Sequence, residues 1–181
     1  MPSHDYLGRE GFIQYTLEAY PVRLIGLDTL VSGEGHGELC TKRLIWLAAR
    51  LAEQPTRPTL LFMHHPPFVT GIDHMDAKGL TGAHKLEALV RDYPNIERIL
   101  CGHVHRPIFR RFGGTIASCC PSTAHQSELN LAGHASAAFV MEPPGYQLHL
   151  WKDGALITHT GVMGTYDGPY AFRTADRSIE G

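Results

Sequence analysis

The chain has 181 residues, a formal net charge of −2 and a pI near 6.6, with 43% hydrophobic and 9% aromatic residues. That is enough apolar material to bury one core, which excludes a disordered chain. No block of Lys or Arg occurs, which excludes the electrostatic footprint of a nucleic-acid binder or of a protein for anionic membranes.

The first residues, Met1 to Tyr6, show no basic region followed by an apolar stretch, and no run of some 18 apolar residues follows, so a soluble protein without an export signal is expected. The four cysteines, Cys40, Cys101, Cys119 and Cys120, have no C-x-x-C spacing and two are adjacent. This suits neither a zinc ribbon nor a disulfide framework, and reduced thiols in a cytoplasmic protein are expected.

In chain order, Val22 to Asp28 is a short apolar run that ends in a carboxylate and reads as a buried strand, followed by a Gly-rich loop from Ser32 to Gly37. From Thr41 to Glu53 the apolar residues Leu44, Leu47, Ala48 and Leu51 recur at i, i+3, i+4 and i+7, which predicts a helix with Thr41 as N-cap. Pro55 and Pro58 end it. Thr59 to Met63 forms a second buried strand that runs into His64-His65-Pro66-Pro67. A second helix is predicted from about Gly82 to Asp92, then a strand from Arg98 to Cys101 leading into Gly102-His103-Val104-His105. Alternating strands and helices define an α/β sheet with functional groups on loops after the C-terminal strand ends.

Beyond residue 106 the helical period disappears. Ile108–Phe112, Thr115–Cys119, Ala137–Met141, Tyr146–Trp151 and Ala155–Thr160 read as strands of a β meander, separated by turns at Gly113-Gly114, Pro143-Pro144-Gly145 and Asp153-Gly154. One domain is expected over 1–172, with a flexible tail at 173–181.

Histidine is the compositional outlier, at twelve residues. His103 and His105 follow an apolar strand through Gly102, and an i, i+2 pair at such a turn can hold one metal or two adjacent ones. An isolated H-x-H is as readily incidental. His64 changes that balance, because it also ends a buried strand and in a parallel sheet both loops leave by the same edge. Three imidazoles on one rim favour a transition-metal site. Pro66 and Pro67 pre-order the loop that holds His64, whereas His65 is read as a packed or solvent-facing histidine.

Phe62-Met63-His64-His65-Pro66-Pro67, Cys101-Gly102-His103-Val104-His105 and Ser122-Thr123-Ala124-His125-Gln126 together resemble the later motifs of calcineurin-like metallophosphoesterases. Leu24-Ile25-Gly26-Leu27-Asp28-Thr29, Gly35-His36-Gly37-Glu38-Leu39 and Gly168-Pro169-Tyr170 fit the branch of class III cyclic nucleotide phosphodiesterases and glycerophosphodiesterases. The resemblance covers the chain from about Tyr20. It implies the C-terminal part of a four-layer α/β/β/α sandwich, and hydrolysis of a small phosphodiester at two divalent transition metals bridged by a carboxylate and a hydroxide. Iron, manganese, zinc and cobalt all suit such ligands.

By the same resemblance His64 and His103 bind the second metal, His105 the first, and His125 lies close to the substrate phosphate; the plainer reading of His125 is a loop histidine with no role. Glu34, Gly35, His36 and the loop from Gly71 to Asp76 shape substrate access, or are simply solvated loops. The family's D-x-H, G-D and G-N-H-D motifs do not occur here, His4-Asp5 lacking the Gly-Asn before it. An N-terminally truncated domain with an incomplete ligand set is therefore expected, and exposed sheet edges lead to a homo-oligomer. The alternative is a non-catalytic remnant that binds one metal or serves as an interaction module.

Overall fold

A computed structural model of the chain describes residues 11–172. His4-Asp5 and the expected tail at 173–181 lie outside the described residues. In chain order the elements are β1 (Tyr15–Leu17), β2 (Arg23–Gly26), β3 (Gly37–Glu38), α1 (Thr41–Glu53), β4 (Thr59–Met63), α2 (Asp73–Asp76), β5 (Leu80–Thr81) and α3 (Ala83–Arg91). They continue with β6 (Ile96–Cys101), β7 (Ile108–Phe112), β8 (Thr115–Cys119), β9 (Gln126–Ser127), β10 (Phe139–Val140), β11 (Gly145–Lys152) and β12 (Ala155–Val162).

A six-stranded sheet in the order β1-β2-β4-β6-β8-β7 organises the molecule. β2, β4, β6 and β8 run parallel, and β1 and β7 close the edges antiparallel. The alternation of strand and helix up to residue 101 thus gives the parallel sheet that the sequence implies. The second half departs from the expected meander. β8 inserts between β6 and β7 and extends the parallel sheet, while β9–β10 and β11–β12 form separate two-stranded ladders. Hydrophobic period alone cannot distinguish a hairpin strand from one that also has a parallel neighbour.

Helix α1 forms because its apolar stripe faces the sheet, with Leu47 and Leu51 fully buried beside Ile25, Leu61 and Ile99. Its N-cap is Cys40, not Thr41, and no side chain caps the first turn. At its other end the buried Arg23 guanidinium donates to the Arg50 carbonyl and pairs with Glu18 at 2.7 Å and Glu53 at 3.0 Å. A cation at a helix C-terminus complements the dipole there, and charged hydrogen bonds tie the start of β2 to the helix. Helix α3 lies on the same face of the sheet through Leu86 and Val90.

Alternate residues point the other way. Leu24, Leu60, Phe62 and Leu100 line a cavity of about 530 Å³ that His149, Trp151 and Leu156 of the β11–β12 hairpin close from above. The Arg98 guanidinium reaches across to the Thr158 hydroxyl at 2.8 Å. The chain therefore stacks a helical layer, the six-stranded sheet and a hairpin layer. Among the described residues no helix is long and apolar enough to cross a membrane.

Leu61 sits at the centre of β4, fully buried between β2 and β6, two strands whose ends carry the functional loops. Leu61→Ala is expected to destabilise the fold by about 2–5 kcal/mol through lost burial and the residual cavity. Denaturant unfolding should show this as a lower midpoint at unchanged slope.

Candidate metal centre

Because β2, β4 and β6 are parallel, they end on one rim, and the residues that leave it are Leu27–Thr29, His64-His65 and Gly102–His105. The β4–β6 ladder closes with Met63 opposite Cys101, and one step further the Gly102 amide donates to the His64 carbonyl at 3.0 Å. The two histidine loops thus leave the sheet side by side. His103 and His105 both adopt left-handed backbone conformations, with φ of 68° and 54°. A non-glycine residue held there costs about 1–3 kcal/mol, and such strain concentrates at functional sites. Val104 between them is fully buried and anchors the turn in the core.

His64 Nε2 and His103 Nδ1 are 3.1 Å apart. The ligand-capable nitrogens of His64, His65 and His103 all lie within 4.8 Å of one another. The ring of His65 is 4.8 Å from that of His64 and 4.6 Å from that of His103. His105 stands in a second group, its ring 4.8 Å from His125, which in turn lies 4.9 Å from the Phe139 ring. Of the four expected site residues, two share the first cluster and two the second. His65 joins the first cluster, packed rather than solvent-facing. Its only sequence signal is the repeated histidine after a buried strand, on the rim where β2 also ends.

Burial pushes His103 down from the ordinary 6.5 to about 4, with further repulsion from His65, His64, Lys78 and His105. His64 is lowered by burial and by His105. His65 is lowered by burial and by His64, partly offset by a hydrogen bond to the Gly35 backbone. All three rings are therefore neutral at pH 7 and keep lone pairs for a cation. His103 Nε2 is buried without a hydrogen-bond partner among the described residues. This donor set fits a divalent transition cation. No carboxylate belongs to the cluster among the described residues. Asp28, on the same rim, has its oxygens taken by the amides of Ile13 and Leu30 and lies 3.6 Å from Arg43.

Beside the cluster a cleft of about 310 Å³ opens between the ends of β2 and β4, with His64 and His65 in its wall. The loop residues expected at the entrance divide. Glu34 is exposed and faces the half-buried His36 at 3.9 Å. Asp76 instead accepts hydrogen bonds from the Thr70 amide and hydroxyl and the Gly71 amide, and Asp73 accepts from the His134 amide. Those two carboxylates brace the loop.

This sequence and fold have counterparts among known proteins. A dimetal phosphatase from Danio rerio superposes with a TM-score of 0.52 at 13% identity over 83% of this chain and 60% of its own, which shows a shared fold. The probable glycerophosphodiester phosphodiesterase GpdQ of Arcobacter nitrofigilis is 39% identical over 171 residues, 93% of this chain and 63% of that protein. The 3',5'-cyclic adenosine monophosphate phosphodiesterase CpdA of Escherichia coli K12 is 33% identical over 75% of this chain and 49% of its own length. A probable cyclic nucleotide phosphodiesterase of Rhodopseudomonas palustris is 33% identical over 88% and 59%. No family model matches the chain. The chain is thus similar over most of its length to a group of curated phosphodiesterases and shares its fold with a dimetal phosphatase. Those relatives are glycerophosphodiester and cyclic nucleotide phosphodiesterases, of whose length it spans between about half and two thirds.

A histidine whose pKa lies lower in the folded chain than in the unfolded one takes up a proton on unfolding. The stability that His64, His65 and His103 contribute in their neutral form is fully present above pH 6.5 and is lost as pH falls toward about 4, the folded value for His103. In metal-free buffer the Tm of the chain should therefore fall across that window more steeply than that of His103→Gln. Parallel profiles would show that the cluster is not the cause.

Proposed function

We propose that the protein is a metal-dependent phosphoric diester hydrolase acting on a small phosphodiester, a glycerophosphodiester or a cyclic nucleotide. The observation that carries this reading is the convergence of neutral His64, His65 and His103 nitrogens at the rim of the parallel strands. The printed functions of the relatives in Arcobacter and Escherichia coli support the substrate class. His64 and His103 would hold a divalent cation, with His105 contributing from the neighbouring group. A bound cation would supply Lewis-acid polarisation of the phosphate and activation of water; iron, manganese, zinc and cobalt suit imidazole ligands.

The chain's own residues do the rest. The cleft of about 310 Å³ beside His64 and His65 would receive the phosphodiester. His125, whose ring lies near those of His105 and Phe139, would offer a ring N–H to a phosphate oxygen. Four free thiols among the described residues support a cytoplasmic location. Exposed Tyr146, Leu148, Leu150 and Ile157 along the β11–β12 hairpin support homo-oligomerisation, which sedimentation would read directly.

The test is hydrolysis of bis(4-nitrophenyl) phosphate in the presence of manganese or zinc. His103→Ala and His105→Ala are each expected to reduce turnover to background while circular dichroism is unchanged. Turnover retained in both variants would sink the assignment.

A further inference from the structure

His65 is buried, adjacent to His64, and its ring contacts the rings of both His64 and His103. Its far side is gripped from two separate segments. The Thr29 hydroxyl, itself buried, lies 2.9 Å from His65 Nδ1. From the other segment Gly37 approaches so closely that a Cβ there would fall 2.4 Å from Nδ1 and 2.5 Å from Cγ. Only glycine fits that gap without displacing the ring.

The grip is itself tied down. The Glu38 amide donates to the Thr29 carbonyl at 3.0 Å, and the Gly37 amide to the Gly79 carbonyl at 3.0 Å. Arg43 of α1, buried beneath, donates to the carbonyls of Glu38 at 2.7 Å and Leu30 at 2.6 Å. The guanidinium thus holds the Thr29 and Gly37 segments at a fixed spacing. The Thr29 hydroxyl engages Nδ1, and the ring also hydrogen-bonds to the Gly35 backbone, so both segments fix its orientation.

We propose that Thr29 and Gly37 form a clamp on His65, and that the clamped ring is a positioning residue that sets the orientation of His64 and His103 for a divalent cation. The inference rests on the metal-dependent function proposed above. Two imidazole nitrogens that share one cation must stand close to each other. His64 Nε2 and His103 Nδ1 are already 3.1 Å apart. A fixed ring against both holds them near that spacing, which lowers the ordering cost when the cation enters.

Titration of the chain with cobalt(II), followed by absorbance and by calorimetry, tests this without reference to turnover. Thr29→Val keeps the side-chain shape and removes the hydroxyl; it is expected to weaken cobalt binding by about 10- to 100-fold, the range for outer partners of metal ligands. Thr29→Ser should restore affinity to within about 3-fold of wild type, since it returns the hydrogen bond. Gly37→Ala leaves the hydroxyl and crowds the ring, and should weaken binding as well. In the metal-free chain, imidazole ¹⁵N spectra should show one fixed tautomer of His65 in wild type and tautomer exchange in Thr29→Val.

Wild-type affinity in Thr29→Val, or failure of Thr29→Ser to restore it, would overturn the clamp. A wild-type chain that binds no cobalt would overturn the clamp and the proposed function together. Binding with the expected variant pattern but no phosphodiester hydrolysis would remove the activity alone.

Discussion

The register between β4 and β6 is the constraint on which the rest of the site depends. Pairing begins with Thr59 opposite Ile96, but Leu60 lies opposite Arg98, so one residue of β6 is passed over. Without that irregularity Met63 would face Leu100, and His64 would leave the sheet one position early relative to Gly102. A one-residue slip also exchanges the faces of a strand, which would turn Ile99 and Cys101 away from the helices. The skipped residue is held in place, since the Glu97 carbonyl accepts a hydrogen bond from the Thr115 hydroxyl of β8 at 2.8 Å. A local irregularity near one end of the ladder thus determines which side chains meet at the other.

What meets there is unfavourable in isolation. Three imidazoles are partly desolvated within one small volume, and two loop histidines are held in left-handed conformations. A histidine buried for packing alone ordinarily has its ring nitrogens hydrogen-bonded, as unpaired polar atoms are costly in an apolar interior. His149 meets that description in part, with Nδ1 2.9 Å from the Thr158 hydroxyl. In His103 the Nδ1 lies within hydrogen-bond distance of His64 Nε2 at 3.1 Å, but Nε2 is buried with no partner among the described residues. Packing of Val104, Ile99 and Cys101 beneath the loop supplies the stability that holds this strained arrangement in place.

Much of this was legible in the residues themselves. The period of α1, the apolar runs of β2, β4 and β6 and the Asp153-Gly154 turn each have a local physical cause. That turn shows it well: φ of 52° and 78° at its two central residues is what an Asp-Gly pair accommodates in a tight hairpin. The two-residue strands β3, β5 and β9 carry no period of their own and exist only through their partners. The place of β8 inside the parallel sheet and the irregularity near Glu97 are likewise tertiary. His65 reads from the sequence as packed or solvent-facing, and it is packed. In sequence it is a second histidine beside another, and the residues that pack against it, Thr29 and Gly37, lie far from it along the chain.

The charge balance of the cluster bears on what it recognises. Neutral imidazoles do not offset the charge of a divalent cation, and the rim carboxylate nearest to hand, Asp28, is already committed to two backbone amides and lies beside Arg43. Within the described residues a cation held by His64 and His103 would therefore keep most of its positive charge. In a half-buried setting that charge would be less screened than in water and would favour an anion in the adjoining cleft. The cleft walls next to the histidines, built by Tyr15, Leu27, Phe62 and Met63, are largely apolar and offer an anion few other partners. Under the function proposed above, attraction would then be concentrated at the phosphate, with the remainder of the ligand held chiefly by shape.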